Sequence, residues 1–126
     1  MIYSFFDPPG RKNEMSKPLN IQIIERARSL IEKEEHWCRG TLAVDARGNA
    51  VCPTDAGARR RCALGAIIAA AREVTSDSRQ AYDLAISIVR SFRGTTTLVN
   101  VNDVRGHAAV LAVLDEAIAG LGGIKR

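Results

Sequence analysis

The chain has 126 residues, 18 of them Lys or Arg and 14 Asp or Glu, for a formal net charge of +4. Its length is about one domain's worth, and a hydrophobic content of 46% matches a packed soluble domain, which excludes a disordered chain. Aromatics make up only 5%, so the core has to be aliphatic; acidic residues are mixed among the basic ones instead of leaving a basic stripe, and no apolar run reaches the roughly 20 residues that span a bilayer.

Residues 1–17 stand apart. Pro8, Pro9 and Gly10 break any regular element, and the polar stretch behind them continues to Lys17. The segment reads as an arm whose Ile2, Tyr3, Phe5 and Phe6 could dock on a groove, with Met15 as an alternative start. It has no basic region ahead of an apolar run, so it does not read as a signal peptide. A first helix is expected from Pro18 or Asn20, with Ile23, Ile24, Ala27, Leu30 and Ile31 on one face. It should end near residues 35–37, ahead of Gly40. Residues 41–52 read as a hairpin: Leu42 and Val44 alternate, residues 45–48 turn, Gly48 takes a positive φ, and Val51 resumes the apolar side.

After a connector at 53–57, a second helix is expected over 58–74. Its apolar residues cover most of its circumference, which places it centrally. Gly65 inside it costs about 1 kcal/mol against Ala and therefore points to close approach of another backbone. A third helix is expected over 77–92, opened by a capping box of Asp77 and Gln80, striped by Ala81, Leu84, Ala85, Ile88, Val89 and Phe92, and stopped by Gly94. The β-branched residues 95–101 read as a short extended segment. Asn102 or Asp103 then caps a fourth helix to 119 or 120, striped by Val110, Leu111, Leu114, Ala117, Ile118 and Leu121, with His107 on the same face. Residues 122–126 form a tail. The expected fold is mainly α: a four-helix domain over 18–121 with one small β-hairpin between the first and second helices, and largely antiparallel neighbours.

Three cysteines without a CxxC pair do not make a secreted disulfide framework; they read as free thiols in a cytoplasmic protein. Cys62 has three readings. On a central helix it is a small core residue. It could instead be a nucleophile, its thiolate favoured by Arg59, Arg60 and Arg61, with His107 as base and Asn102 or Asp103 orienting it. Against this, the expected helix starts several residues before Cys62, which weakens the dipole, and His107 sits in a first helical turn. It could also ligate zinc with His36, Cys38 and Cys52, but structural zinc sites pair their cysteines two to four residues apart, roughly speaking, and these are not so paired. No metal or cofactor is expected. The polar cluster at residues 100–103 is either a helix cap or the polar floor of a pocket beside His107. The arginine run is either a solvated face or a phosphate site; no aromatics interleave with it for base stacking. Trp37, in HWCRG, reads as a plug between hairpin and helices.

The ordered set W-C-x-G (residues 37–40), D-x-x-G (45–48), C-A-L-G-A (62–66) and N-D (102–103), behind a helix with A-x-x-L-I, resembles an uncharacterised bacterial and phage family of unknown function over roughly residues 20–120. The resemblance implies no activity, cofactor or partner. It implies that Trp37, Cys62, Gly65, Asn102 and Asp103 belong to one shared feature. Where that family often has an aromatic before the cysteine, this chain has Arg61.

The expected function is a small non-catalytic binding or interaction module. Its surface lies between the hairpin, the start of the second helix and the 102–107 turn, carried by Trp37, Asn102, Asp103, His107, Arg59 and Arg61. The alternative is a thiol-dependent hydrolase or transferase using Cys62 and His107, and the third reading is a phosphate or nucleic-acid binder through Arg59 to Arg61. No membrane partner is expected, nucleic acid is disfavoured, and the sequence names no partner and leaves oligomerisation open.

Overall fold

The computed structural model of the chain describes residues 17–92 and 95–122. Five helices run through it: α1 (Leu19–Leu30), α2 (Ala63–Val74), α3 (Ser78–Arg90), α4 (Thr95–Asn100) and α5 (His107–Gly122). Between α1 and α2 lie one 3₁₀ turn (Glu34–His36) and a two-stranded antiparallel sheet of β1 (Ala43–Val44) and β2 (Arg60–Arg61). A wide π-type turn, Val101–Arg105, joins α4 to α5. The class is mainly helical, as the periodicity indicates, with one helix more than expected. The aromatics proposed for the arm, the glycine stop at Gly94 and the last four residues of the tail lie outside the described residues. No described helix is long and apolar enough to cross a membrane.

The central place of α2 follows from its sequence. Ala63 and every residue from Gly65 to Ala71 are buried, so the helix has almost no solvent face until Arg72. α1 and α3 pack on it, and α5 packs on α1. Ile23, Ile24, Ala27 and Ile31 from α1 and its end, Ala81, Ala85, Ile88 and Val89 from α3, and Val110 and Leu114 from α5 close one aliphatic core with Ile67 and Ile68. Each fully buried Ile or Leu in it contributes about 1.5–3 kcal/mol.

Several local expectations change. α1 stops at Leu30 instead of reaching residues 35–37: residues 32–36 are all exposed, so a further turn would bury nothing that tertiary packing could stabilise. α2 starts at Ala63, not at 58, because the backbone of residues 59–62 is taken by strands. Arg59 N–H donates to the Val44 carbonyl (2.8 Å) and Cys62 N–H to the Leu42 carbonyl (3.0 Å). The hairpin is short. Its turn forms as read, with Gly48 at φ +86° and Asp45 Oδ1 accepting from the Arg47 and Asn49 N–H groups. Its second arm meets β1 in a single bridge, Val44 to Ala50, with Val51 N–H donating to the Ala43 carbonyl (3.0 Å), and the ladder partner of β1 is β2, in the register Ala43 with Arg61 and Val44 with Arg60. The phase is also shifted by one: Ala43 is fully buried and Leu42 is 36% exposed.

Residues 95–100 are helical where an extended segment is expected, because β-branched preference yields to tertiary context. Leu98 from this helix is completely buried in the core. α5 begins at His107, set off by Gly106 at φ +101°, and neither Asn102 nor Asp103 caps it. α3 opens as expected: Asp77 Oδ1 accepts from the Arg79 and Gln80 N–H groups. The reciprocal half of the capping box is absent, since Gln80 Oε1 accepts from Thr75 Oγ1 instead.

Candidate functional site

Among the described residues Asn102 is the one buried polar side chain, 2% exposed. A buried primary amide has two acceptor sites and two N–H donors to satisfy, and all four are used. Oδ1 accepts from Trp37 Nε1–H (2.7 Å) and from the Ala63 backbone N–H (2.9 Å). Nδ2 donates to the Cys38 carbonyl (3.2 Å) and to Asp103 Oδ1 (2.9 Å). Two donors on one side and two acceptors on the other fix which end of the amide is which. Asn102 is therefore a capping residue, but for α2, whose first N–H it binds, and not for the helix that follows it.

Its neighbours extend the network. Asp103 Oδ1 also accepts from Gly40 N–H (3.0 Å), where the chain turns at φ +84°. The Asp103 carbonyl accepts from Arg39 Nη1 (3.1 Å), whose guanidinium lies 5.1 Å from the Trp37 ring centroid, in cation–π range. The His107 ring is 5.5 Å from that of Trp37. Trp37, Asn102, Asp103 and His107 thus come together, and Cys62 and Gly65 join them at the start of α2, where Cys62 Sγ accepts from Gly65 N–H (3.3 Å). Sequence reasoning missed Arg39, whose only signal is its place beside Trp37.

Cys62 is the N-cap of α2, closer to the helix dipole than expected. Burial nevertheless dominates: the residue is 7% exposed, and desolvation raises its thiol pKa above the ordinary value against the bonds from the Gly65 and Leu64 backbone. His107 Nε2 lies 2.7 Å from the Ile31 carbonyl. A carbonyl only accepts, so Nε2 carries the proton and Nδ1 is the nitrogen left to act as a base. Among the described residues no hydrogen bond joins His107 to Cys62, nor Asp103 to His107. His36, Cys38, Cys52 and Cys62 do not gather either; among the described residues no three His, Cys, Asp or Glu are placed to share a metal ion.

The three thiols differ in environment. Cys52 is exposed, and its hydrogen bonding with Thr54 lowers its pKa. Burial, then the neighbouring Cys62 and Asp103, push Cys38 up to about 11, with Arg60 opposing. In native protein at pH 7.5 iodoacetamide is expected to modify Cys52 at least about tenfold faster than Cys38 or Cys62, because only the thiolate attacks. Peptide mass spectrometry reads the order. Equal rates for all three would contradict the buried placement of Cys62.

The other predicted residues, Arg59 and Arg61, lie elsewhere. With Arg60 they line an open cleft of about 480 Å³, whose lining also includes Glu35, His36 and Asp45. Arg61 is tied down, its Nε donating to the Pro53 carbonyl (2.8 Å). Arg59 and Arg60 are exposed and make no side-chain hydrogen bond or ion pair among the described residues. By contrast Arg26 pairs with Glu73 and Arg28 with Asp115.

The chain belongs to a family of unknown function (DUF6197), whose model matches residues 15–120 and so takes in both the Asn102 network and the arginine cleft. Comparison with curated proteins and with solved structures finds no match.

Proposed function

We propose that the protein is a non-catalytic binding module that takes a compact anionic ligand, a phosphate-bearing small molecule, in the cleft along residues 59–61. The observation that carries this reading is the pair of exposed guanidinium groups, Arg59 and Arg60, without a protein partner among the described residues on the wall of a concave site. Guanidinium presents paired N–H donors that match phosphate oxygens. A volume of about 480 Å³ falls in the range of small-ligand sites. Glu35 and Asp45 also line the cleft and disfavour an extended polyanion, which supports a small ligand over a nucleic-acid backbone. Free thiols fit a reducing, cytoplasmic setting.

Catalysis through Cys62 has less support, because its sulfur is buried and engaged as a helix cap. The Asn102 network has all its amide valences filled within the protein, so it supports the walls of a site better than it contacts a ligand.

Calorimetric titration with pyrophosphate and with a nucleoside monophosphate tests the reading. The wild-type chain should bind at least one of them. Arg59→Ala and Arg60→Ala should each weaken binding by about tenfold or more, as expected for losing a hydrogen bond to a charged group, with the urea midpoint unchanged. Binding that survives the double substitution, or no binding of either compound at millimolar concentration, would overturn it.

A further inference from the structure

The strand register places two cysteines side by side that the sequence does not pair. Trp37 bridges Arg61 in a parallel sense, and Cys38 N–H donates to the Arg61 carbonyl (3.2 Å). One residue further along both chains stand Cys38 and Cys62. Trp37 and Cys62 both have extended backbone (φ −115°, ψ 146° and φ −79°, ψ 176°). Neighbouring extended chains lie about 4.8 Å apart, and a disulfide needs Cα atoms roughly 4.4–6.8 Å apart. Residues in register share a face, so the two Cβ atoms leave on the same side. Both main chains are also held to the same amide: Asn102 Nδ2 binds the Cys38 carbonyl and Asn102 Oδ1 binds the N–H of Ala63, next to Cys62. Neither sulfur has a strong competing partner. Cys38 Sγ donates to the Thr41 carbonyl at 3.7 Å, and Cys62 Sγ accepts from Gly65 N–H at 3.3 Å.

We infer that Cys38 and Cys62 form an intramolecular disulfide when the folded protein meets a peroxide. Cys38 is the more accessible of the two and reacts first. Its thiolate attacks the peroxide O–O bond; an S–O bond forms, the O–O bond breaks, and the leaving hydroxide takes up the thiol's proton as water. Cys62 then attacks the sulfenic sulfur. The S–S bond forms, the S–O bond breaks, and the second hydroxide leaves as water with the Cys62 proton. The balance is two thiols and one hydrogen peroxide to one disulfide and two waters. The crosslink ties the 3₁₀ turn and Trp37 to the start of α2. It does not depend on what the arginine cleft binds.

Burial and the charges facing Cys38 make the reaction pH-dependent. Cys62 and Asp103 oppose thiolate there, Arg60 favours it, and the thiol titrates at about 11. The rate should therefore rise about tenfold per unit between pH 7 and pH 9.

The test uses Cys52→Ser full-length chain, which leaves only these two thiols, treated with equimolar hydrogen peroxide at pH 7 and pH 9. Trypsin separates the cysteines, with Cys38 in peptide 34–39 and Cys62 in peptide 62–72. The expected product is a monomer that has lost both thiols, with the two peptides joined and the link reversed by dithiothreitol. The same treatment in urea should slow pairing relative to intermolecular dimers, since only the fold holds the pair in register. Free thiols at both pH values, irreversible sulfinic or sulfonic acid without a crosslink, or dimers as the main native product would each overturn the inference.

Discussion

Asn102→Ala is expected to lower the unfolding free energy by about 4 kcal/mol, since each buried group left without its partner costs about 1–3 kcal/mol. The substitution removes four hydrogen bonds at once and leaves the Trp37 indole N–H and the Ala63 N–H directed at empty space. It also frees the Cys38 carbonyl and Asp103 Oδ1, although Asp103 keeps Gly40. Against a typical total of about 5–15 kcal/mol the loss is large, and urea denaturation followed by tryptophan fluorescence measures it directly. Asn102→Asp separates shape from hydrogen bonding. It keeps both acceptor contacts but turns an oxygen toward the Cys38 carbonyl and the Asp103 carboxylate. Burial and that neighbouring charge would raise the new carboxyl's pKa in the folded state. A group raised on folding favours the folded state at low pH and loses that contribution as pH rises through its folded value. Asn102→Asp should therefore be close to wild type near pH 4 and fall below it by pH 7. A loss under about 1 kcal/mol for Asn102→Ala would show that the network is not what holds the Trp37–Gly40 segment and the start of α2 to the 101–105 turn.

The strength of this network explains why it is hard to read from the sequence. Asn and Asp before an apolar stripe are ordinary cap residues, and local reasoning assigns them to the next helix. Asn102 does cap a helix, but its partners Trp37 and Ala63 are brought to it by the fold, across 65 and 39 residues of chain. The same holds for Arg60 and Arg61, which read as the first turn of a helix until their backbone pairs with Ala43 and Val44. Sheets this short leave no alternation to detect. Ala43, the buried residue of β1, is also the least conspicuous member of its run. Residues 95–100 mislead in the opposite way: a β-branched run suggests an extended chain, while the burial of Leu98 favours a helix there. What was legible is what rests on local periodicity. The α1, α3 and α5 stripes predict the buried faces, and the nearly continuous apolar surface of α2 predicts its central place. The resemblance gathered Trp37, Cys62, Gly65, Asn102 and Asp103 into one feature, and they are gathered in space. The closeness of Arg59 to Arg61 to the 3₁₀ turn, which makes the cleft, needed the strand register.

Gly65→Ala carries the second large effect, and its sign is the informative part. In an ordinary helix interior this substitution stabilises by about 0.5–1 kcal/mol, because glycine gives up more backbone freedom on folding. At Gly65 a Cβ would fall on the Leu42 carbonyl oxygen, inside van der Waals contact. That oxygen cannot move aside freely. It accepts the Cys62 N–H at 3.0 Å, and the next residues of its strand are paired with β2. Relief would require lifting the start of α2 off the sheet, which also stretches the Ala63 bond to Asn102 and the Cys62 bond to Leu42. A net destabilisation of about 1–3 kcal/mol is expected, typical of overpacking a filled site. Gly120→Ala is the matched control: it lies in α5 with no atom within 4 Å of the added methyl, so it should be neutral or slightly stabilising. The urea midpoint should fall for Gly65→Ala and hold or rise for Gly120→Ala. If Gly65→Ala stabilised as Gly120→Ala does, the close packing of α2 on the Leu42 backbone would be refuted, and with it the reason that a glycine stands in the first turn of this buried helix.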